Sequence, residues 1–127
     1  MTVFDTNAVL RYILQDDEKM ADVVEDHLKQ GDSFIPTEVI AEVVYVLSGV
    51  YQVPRQEITA VISGVLMEDV SVTNAAVIIK GLETFATTTL DFVDCLMVGY
   101  QYDGNMVFTF DKKLKKMLEK LSAGQAN

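Results

Sequence analysis

Short apolar, β-branched runs alternate with helical stretches along the whole chain, and that alternation most narrows the folds open to it. TVFD reads as a first strand. Apolar spacing then predicts helices over 6–14 and 17–30, divided by the polar Gln15-Asp16-Asp17 and stopped by Gly31. SFIP reads as a second strand ended by Pro36, with Thr37 as the cap of a helix from Glu38 to about Val50. Pro54 stands where a helix can begin, and 55–67 continue it. DVSV reads as a third strand. Asn74 is placed to cap a helix to about Phe85, and a further helix occupies about 91–101. Asp103-Gly104-Asn105 signals a turn, MVFTF reads as a last strand, and a lysine-rich helix starts at Lys112. Strands separated by helices build a parallel sheet covered on both faces, so an α/β class is expected. The tail SAGQAN, 122–127, reads as frayed.

At 127 residues, half of them hydrophobic, the chain is expected to form one domain with a real core rather than a disordered segment. No apolar run reaches transmembrane length, and no basic segment followed by an apolar run opens the chain, so neither a membrane span nor a signal peptide is expected. The single cysteine, Cys95, excludes an internal disulfide and a thiolate metal cluster, and fits a reducing, cytoplasmic setting. The single histidine, His27, lies in the polar helical stretch ADVVEDHLKQ and reads as a surface residue; chemistry needing two histidines is excluded. Neither GxGxxG nor GxxxxGK[ST] occurs. A net charge of −9 does not mark an obvious nucleic-acid binder, because neutralising phosphates needs Lys and Arg. Yet Lys112, Lys113, Lys115, Lys116 and Lys120 crowd one short segment, either as a solvated helix face or as a polyanion-facing one.

Four carboxylates are oddly placed. Asp5 and Asp111 each follow a predicted strand, where ligands of parallel sheets bind, although each can simply cap the next helix. Glu42 is the only charge in VIAEVVYVL, with Val39 and Val46 one helical turn away; its ordinary alternative is a register that leaves it at the edge of the apolar face. Asp94, in LDFVDCLMVGY, precedes five uncharged residues. Asp91 can share its face, but has an ordinary role in a capping box with Thr88. If the four converge, repulsion is large: about 4 kcal/mol for two charges about 4 Å apart at an effective dielectric of about 20. Such a cluster persists only when partly protonated, paired with basic groups or holding a cation. Without histidine or cysteine ligands, that cation is hard and oxygen-preferring, Mg²⁺ or Mn²⁺, and suits phosphoryl chemistry.

VFDTN, TEVIAEVVYVL, DFVDCLMVG and VFTFDKKL occur in that order over nearly the whole chain. In these stretches the sequence resembles the PIN domain family, and within it the VapC-type toxins of toxin–antitoxin pairs. The resemblance implies a single domain, a three-layer α/β/α sandwich with a short parallel sheet of four strands. A fifth edge strand, common in relatives, has no counterpart in LSAGQAN. It implies a Mg²⁺- or Mn²⁺-dependent endoribonuclease that hydrolyses RNA phosphodiesters. Asp5, Glu42, Asp94 and Asp111 then serve as catalytic residues and as ligands of one or two metal ions. Thr6 and Asn7 are expected to position Asp5 or a water, Thr109 to precede the last acid, and Asp91 to be auxiliary. Arg11, Lys112, Lys113 and Lys116 are candidates to meet the backbone of single-stranded or loop RNA. The resemblance further implies a homodimer and a cognate antitoxin that reaches the acidic site with a basic side chain. The apolar helices at 39–50 and 58–67 are candidate partner surfaces, with ordinary core as the alternative.

Two other classes compete. A PIN-like domain could bind RNA or protein without cutting. A receiver-like signalling domain would need a pair of acids after the first strand, where only Asp5 stands, and a haloacid-dehalogenase phosphatase would need DxDxT, which DTN does not supply.

Overall fold

Asp5 ends the first strand and starts the first helix in one residue, because its side chain accepts the Ala8 N–H at 2.9 Å while its own backbone stays extended. That junction sets the pattern for the computed structural model, which describes residues 1–125. The described residues form two compact units, Met1–Asn74 and the chain from Ala75 onward.

The first unit holds β1 (Thr2–Val3), α1 (Thr6–Leu14), α2 (Glu18–Gln30), β2 (Ser33–Ile35), α3 (Thr37–Gly49), α4 (Arg55–Leu66) and β3 (Val70–Val72). Its three strands run parallel in the order β1-β2-β3. Thr2 is in register with Ser33, and Phe34 with Ser71. The central strand buries Ser33 and Ile35, whereas β1, at the edge, leaves Thr2 and Val3 exposed. Phe4 is buried and its N–H donates to the Phe34 carbonyl at 2.9 Å, carrying the ladder up to Asp5.

Local chemistry places the breaks. Gln15 turns left-handed after α1, Asp17 caps α2 by accepting the Met20 N–H at 3.1 Å, and Gly31 stops α2 at a φ of +79° that side chains rarely tolerate. Pro36 and Pro54, both extended, precede α3 and α4. Thr37 is therefore the first helical residue and not the cap expected from sequence, since the fixed φ of Pro36 already sets the entry. Ile40, Val43, Val44 and Leu47 of α3 and Ile58, Ile62 and Val65 of α4 are buried, so the apolar stripes of both helices are core.

The second unit holds α5 (Ala75–Thr87), α6 (Phe92–Tyr102) and α7 (Lys112–Gln125). Phe85 meets Phe92 edge to face at 5.6 Å, and α5 lies so close to α6 that a Cβ on Gly99 would come within 2.4 Å of the Val77 carbonyl oxygen. Residues 106–110, expected as a fourth strand, have no ladder partner among the described residues. Among the described residues the sheet has three strands; period-two patterning gives an extended chain but not a partner for its N–H and C=O groups. Ser122–Gln125 continue α7 where a frayed tail was expected, and no strand follows among the described residues; Ala126 and Asn127 lie outside them. The result is the mixed α/β class anticipated from the alternation of strands and helices. No helix is long and apolar enough to cross a membrane among the described residues.

Candidate active site

In the first unit Asp5 stands at the carboxyl end of β1 with its carboxylate exposed. Capping the Ala8 N–H through Oδ1 fixes the side chain and leaves Oδ2 to meet a ligand. Thr6, half-buried, and Asn7, exposed, open α1 directly behind it. Glu42 lies on the second turn of α3 and is exposed. Of the two registers the sequence leaves open, the structure has the one with Val43 and Val44 turned into the core and Glu42 at the edge of the apolar face. Arg11, an expected contact for RNA, is already engaged. Its Nη1 pairs with Asp16 at 2.9 Å, its side chain is largely covered, and its Nε is buried without a partner.

The second unit gathers three carboxylates and a lysine. Asp91 caps α6, accepting the Val93 N–H at 3.3 Å. Asp91 rather than Thr88 is thus the cap of α6; the Thr88 hydroxyl donates to the Thr84 carbonyl at 2.8 Å and accepts the Leu90 N–H at 3.2 Å. Asp94 sits one turn further on, half-buried. Burial first, then the negative charges of Asp111 and Asp91, push its carboxyl above the ordinary carboxylate range, and Lys113 opposes them. Asp111 is exposed and holds α7 by accepting the Leu114 N–H at 2.8 Å, while its own N–H donates to Thr109 Oγ1 at 3.0 Å. Thr109 thus holds the backbone N–H of Asp111.

Lys113 Nζ donates to Thr89 at 2.8 Å through its hydroxyl and at 3.3 Å through its carbonyl. Sequence reasoning named Lys113 for RNA but missed Thr89 and the counter-charge role; nothing in a Thr-Thr-Thr run signals a lysine 24 residues away. Lys112 and Lys116 are exposed.

Every candidate ligand is a carboxylate oxygen. His27 lies exposed on α2, and Cys95 is buried with its Sγ on the Leu90 carbonyl. Such a donor set fits a hard divalent cation and no soft one. Within neither unit, among the described residues, do three His, Cys, Asp or Glu side chains form a group that could hold a metal by themselves.

A comparison with family models matches the PIN domain over residues 2–120, a span that includes all four acids. No curated protein and no solved structure matches the chain. The α/β class with its short parallel sheet is consistent with the fold of that family. The chain belongs to the PIN domain family, whose members are nuclease-type domains that typically work as metal-dependent hydrolases.

Proposed function

We propose that this protein is a metal-dependent endoribonuclease that hydrolyses RNA phosphodiester bonds, and that it is the toxin of a VapC-type toxin–antitoxin pair. The observation that carries the reading is Asp94, a carboxylate held half-buried in the first turn of α6, where burial and the charges of Asp111 and Asp91 penalise its ionised form.

In this reading Asp5, Glu42, Asp94 and Asp111 would hold Mg²⁺ or Mn²⁺. When bound, the ion supplies activation of water and neutralisation of charge on the phosphate. The protein's own residues do the positioning. The Ala8 N–H orients Asp5, and the Leu114 N–H orients Asp111, whose backbone is tied to Thr109. Thr6 and Asn7 steady the first acid or a water beside it. Lys113, braced by Thr89, offsets part of the charge around Asp94, and Asp91 keeps the head of α6 in place. Lys112 and Lys116 meet RNA phosphates, which sets affinity and not sequence. The net charge of −9 suits an antitoxin with a basic segment, and a homodimer is the expected assembly.

An RNA digest with Mg²⁺ or Mn²⁺, compared with EDTA, tests the enzyme directly. Cleavage by the parent chain, abolished by EDTA and by Asp94→Asn or Asp5→Asn, is the expected result. Cleavage that survives EDTA, or full activity in Asp94→Asn, would overturn it; RNA bound but left intact would favour the non-cleaving alternative.

A further inference from the structure

Lys113 stands at the wrong end of its helix. It lies in the first turn of α7, the positive end of the helix dipole, where an acid is favoured and a lysine is not. Its side chain reaches across 24 residues of sequence to Thr89, just before the start of α6 and so beside a second positive helix end. There the ammonium donates to the Thr89 hydroxyl at 2.8 Å and to the Thr89 carbonyl at 3.3 Å, so one threonine takes two of its three N–H donors. Holding a four-carbon stem in one place costs rotamer entropy, which two hydrogen bonds to neutral oxygens offset only in part.

The rest of the offset comes from negative charge at the same two helix starts. Asp91 caps α6, Asp94 follows in its first turn, and Asp111 holds the start of α7. Asp94 registers the arrangement: burial, Asp111 and Asp91 raise its carboxyl, and Lys113 lowers it. Within this unit, three carboxylates against one ammonium leave two formal negative charges, which one divalent ion cancels. A cation already fixed among acids steadies them, and for the same reason it opposes the arrival of another cation.

We propose that Lys113, anchored by Thr89, is the resident counter-charge of these acids. It keeps them together when no metal is bound, and it weakens their hold on a divalent ion, so that the ion concentration needed for loading is set by this chain's own lysine. The second half of the proposal rests on the metal-dependent reading above; the first half does not. Thr89 is a positioning residue here, acting through Lys113.

Two measurements on the full chain separate the halves. The first is a double-mutant cycle on melting temperature in EDTA. Lys113→Met, which keeps the stem and removes the charge, is expected to melt about 2–5 °C below the parent, and Lys113→Arg close to it. In an Asp94→Asn background the same Lys113→Met change is expected to lose most of that effect. Equal losses in the two backgrounds would make Lys113 a packing residue and overturn the proposal. The second is Mn²⁺ affinity by isothermal titration calorimetry in high NaCl. Lys113→Met is expected to bind Mn²⁺ about tenfold more tightly than the parent. Thr89→Val is expected to move the same way by a smaller factor, and Thr89→Ser to keep the parent value. Lys120→Met, the same charge change two turns along α7, is expected to leave the affinity alone. Affinity unchanged or weakened in Lys113→Met, or raised equally in Lys120→Met, overturns the proposal. A parent that binds neither Mn²⁺ nor Mg²⁺, with the EDTA cycle still coupling Lys113 to Asp94, would end the metal-dependent reading and leave the counter-charge standing. Mn²⁺ binding that is lost in Asp94→Asn but indifferent to Lys113→Met would do the reverse.

Discussion

Asp5, Asp91 and Asp111 each spend one carboxylate oxygen on a backbone N–H at a helix start, and this capping does not compete with chemistry. A cap fixes the rotamer, and a fixed carboxylate loses less entropy when it takes up a ligand. Asparagine caps about as well, so Asp→Asn removes charge while keeping the helix start. Asp94 differs, because it caps nothing and its ionised form is penalised by burial and by Asp111 and Asp91. A carboxyl whose folded pKa lies above its unfolded one binds more protons folded. Stability is therefore lost as pH rises from the ordinary carboxylate value, about 4, through the folded value. Asp94→Asn is accordingly expected to melt higher than the parent at pH 7 without divalent ions, and to lose that advantage near pH 3, where Asp94 is protonated. Thermal melts at the two pH values check this, and equal melting temperatures at pH 7 would remove the crowding.

At the scale of elements, the pair α5–α6 carries the core of the second unit, and its glycines are not equivalent. A methyl at Gly99 would collide with the Val77 backbone at 2.4 Å, whereas one at Gly81 would crowd the tip of Leu96 at 3.0 Å and meet the backbone of Cys95 and Leu96 at an ordinary 3.5 Å. Gly99→Ala is expected to cost about 1–3 kcal/mol by forcing two helices apart, and Gly81→Ala much less, because a side-chain tip can turn aside. Urea unfolding of both variants decides the point. The same elements show what a sequence carries. Helix boundaries at Asp17, Gly31, Pro54 and Lys112 were legible, because each is marked by a residue with one local preference. The burial of Glu42 was left open, because α3 is apolar over most of its circumference and spacing alone does not fix its register. The strand expected at 106–110 failed for another reason: alternation is a local property, and a ladder partner is not. Asp94 and Asp111 were singled out by two separate anomalies, a charge in an apolar helix and an acid at a strand end, and the charge of Asp111 does bear on Asp94. The Thr89–Lys113 contact was not, since flexible lysines carry no periodic signal.

For the whole molecule, a net charge of −9 means that any cation steadies the folded chain to some degree, by diffuse screening of self-repulsion. A specific ion behaves differently: it saturates, and it adds stability as RT ln(1 + [L]/Kd), about 2.7 kcal/mol at a hundredfold excess over Kd. In a background of NaCl high enough to exhaust screening, millimolar Mn²⁺ or Mg²⁺ is expected to raise the melting temperature of the parent further. Asp5→Asn, in the first unit, and Asp94→Asn, in the second, are each expected to lose most of that increment if one ion depends on both. The pairing of variants is what gives the test its force. If only Asp94→Asn loses the increment, ion binding does not depend on Asp5, and the four-acid reading fails. If neither does, the carboxylates respond to ionic strength alone, and the metal-dependent ribonuclease proposal loses its centre.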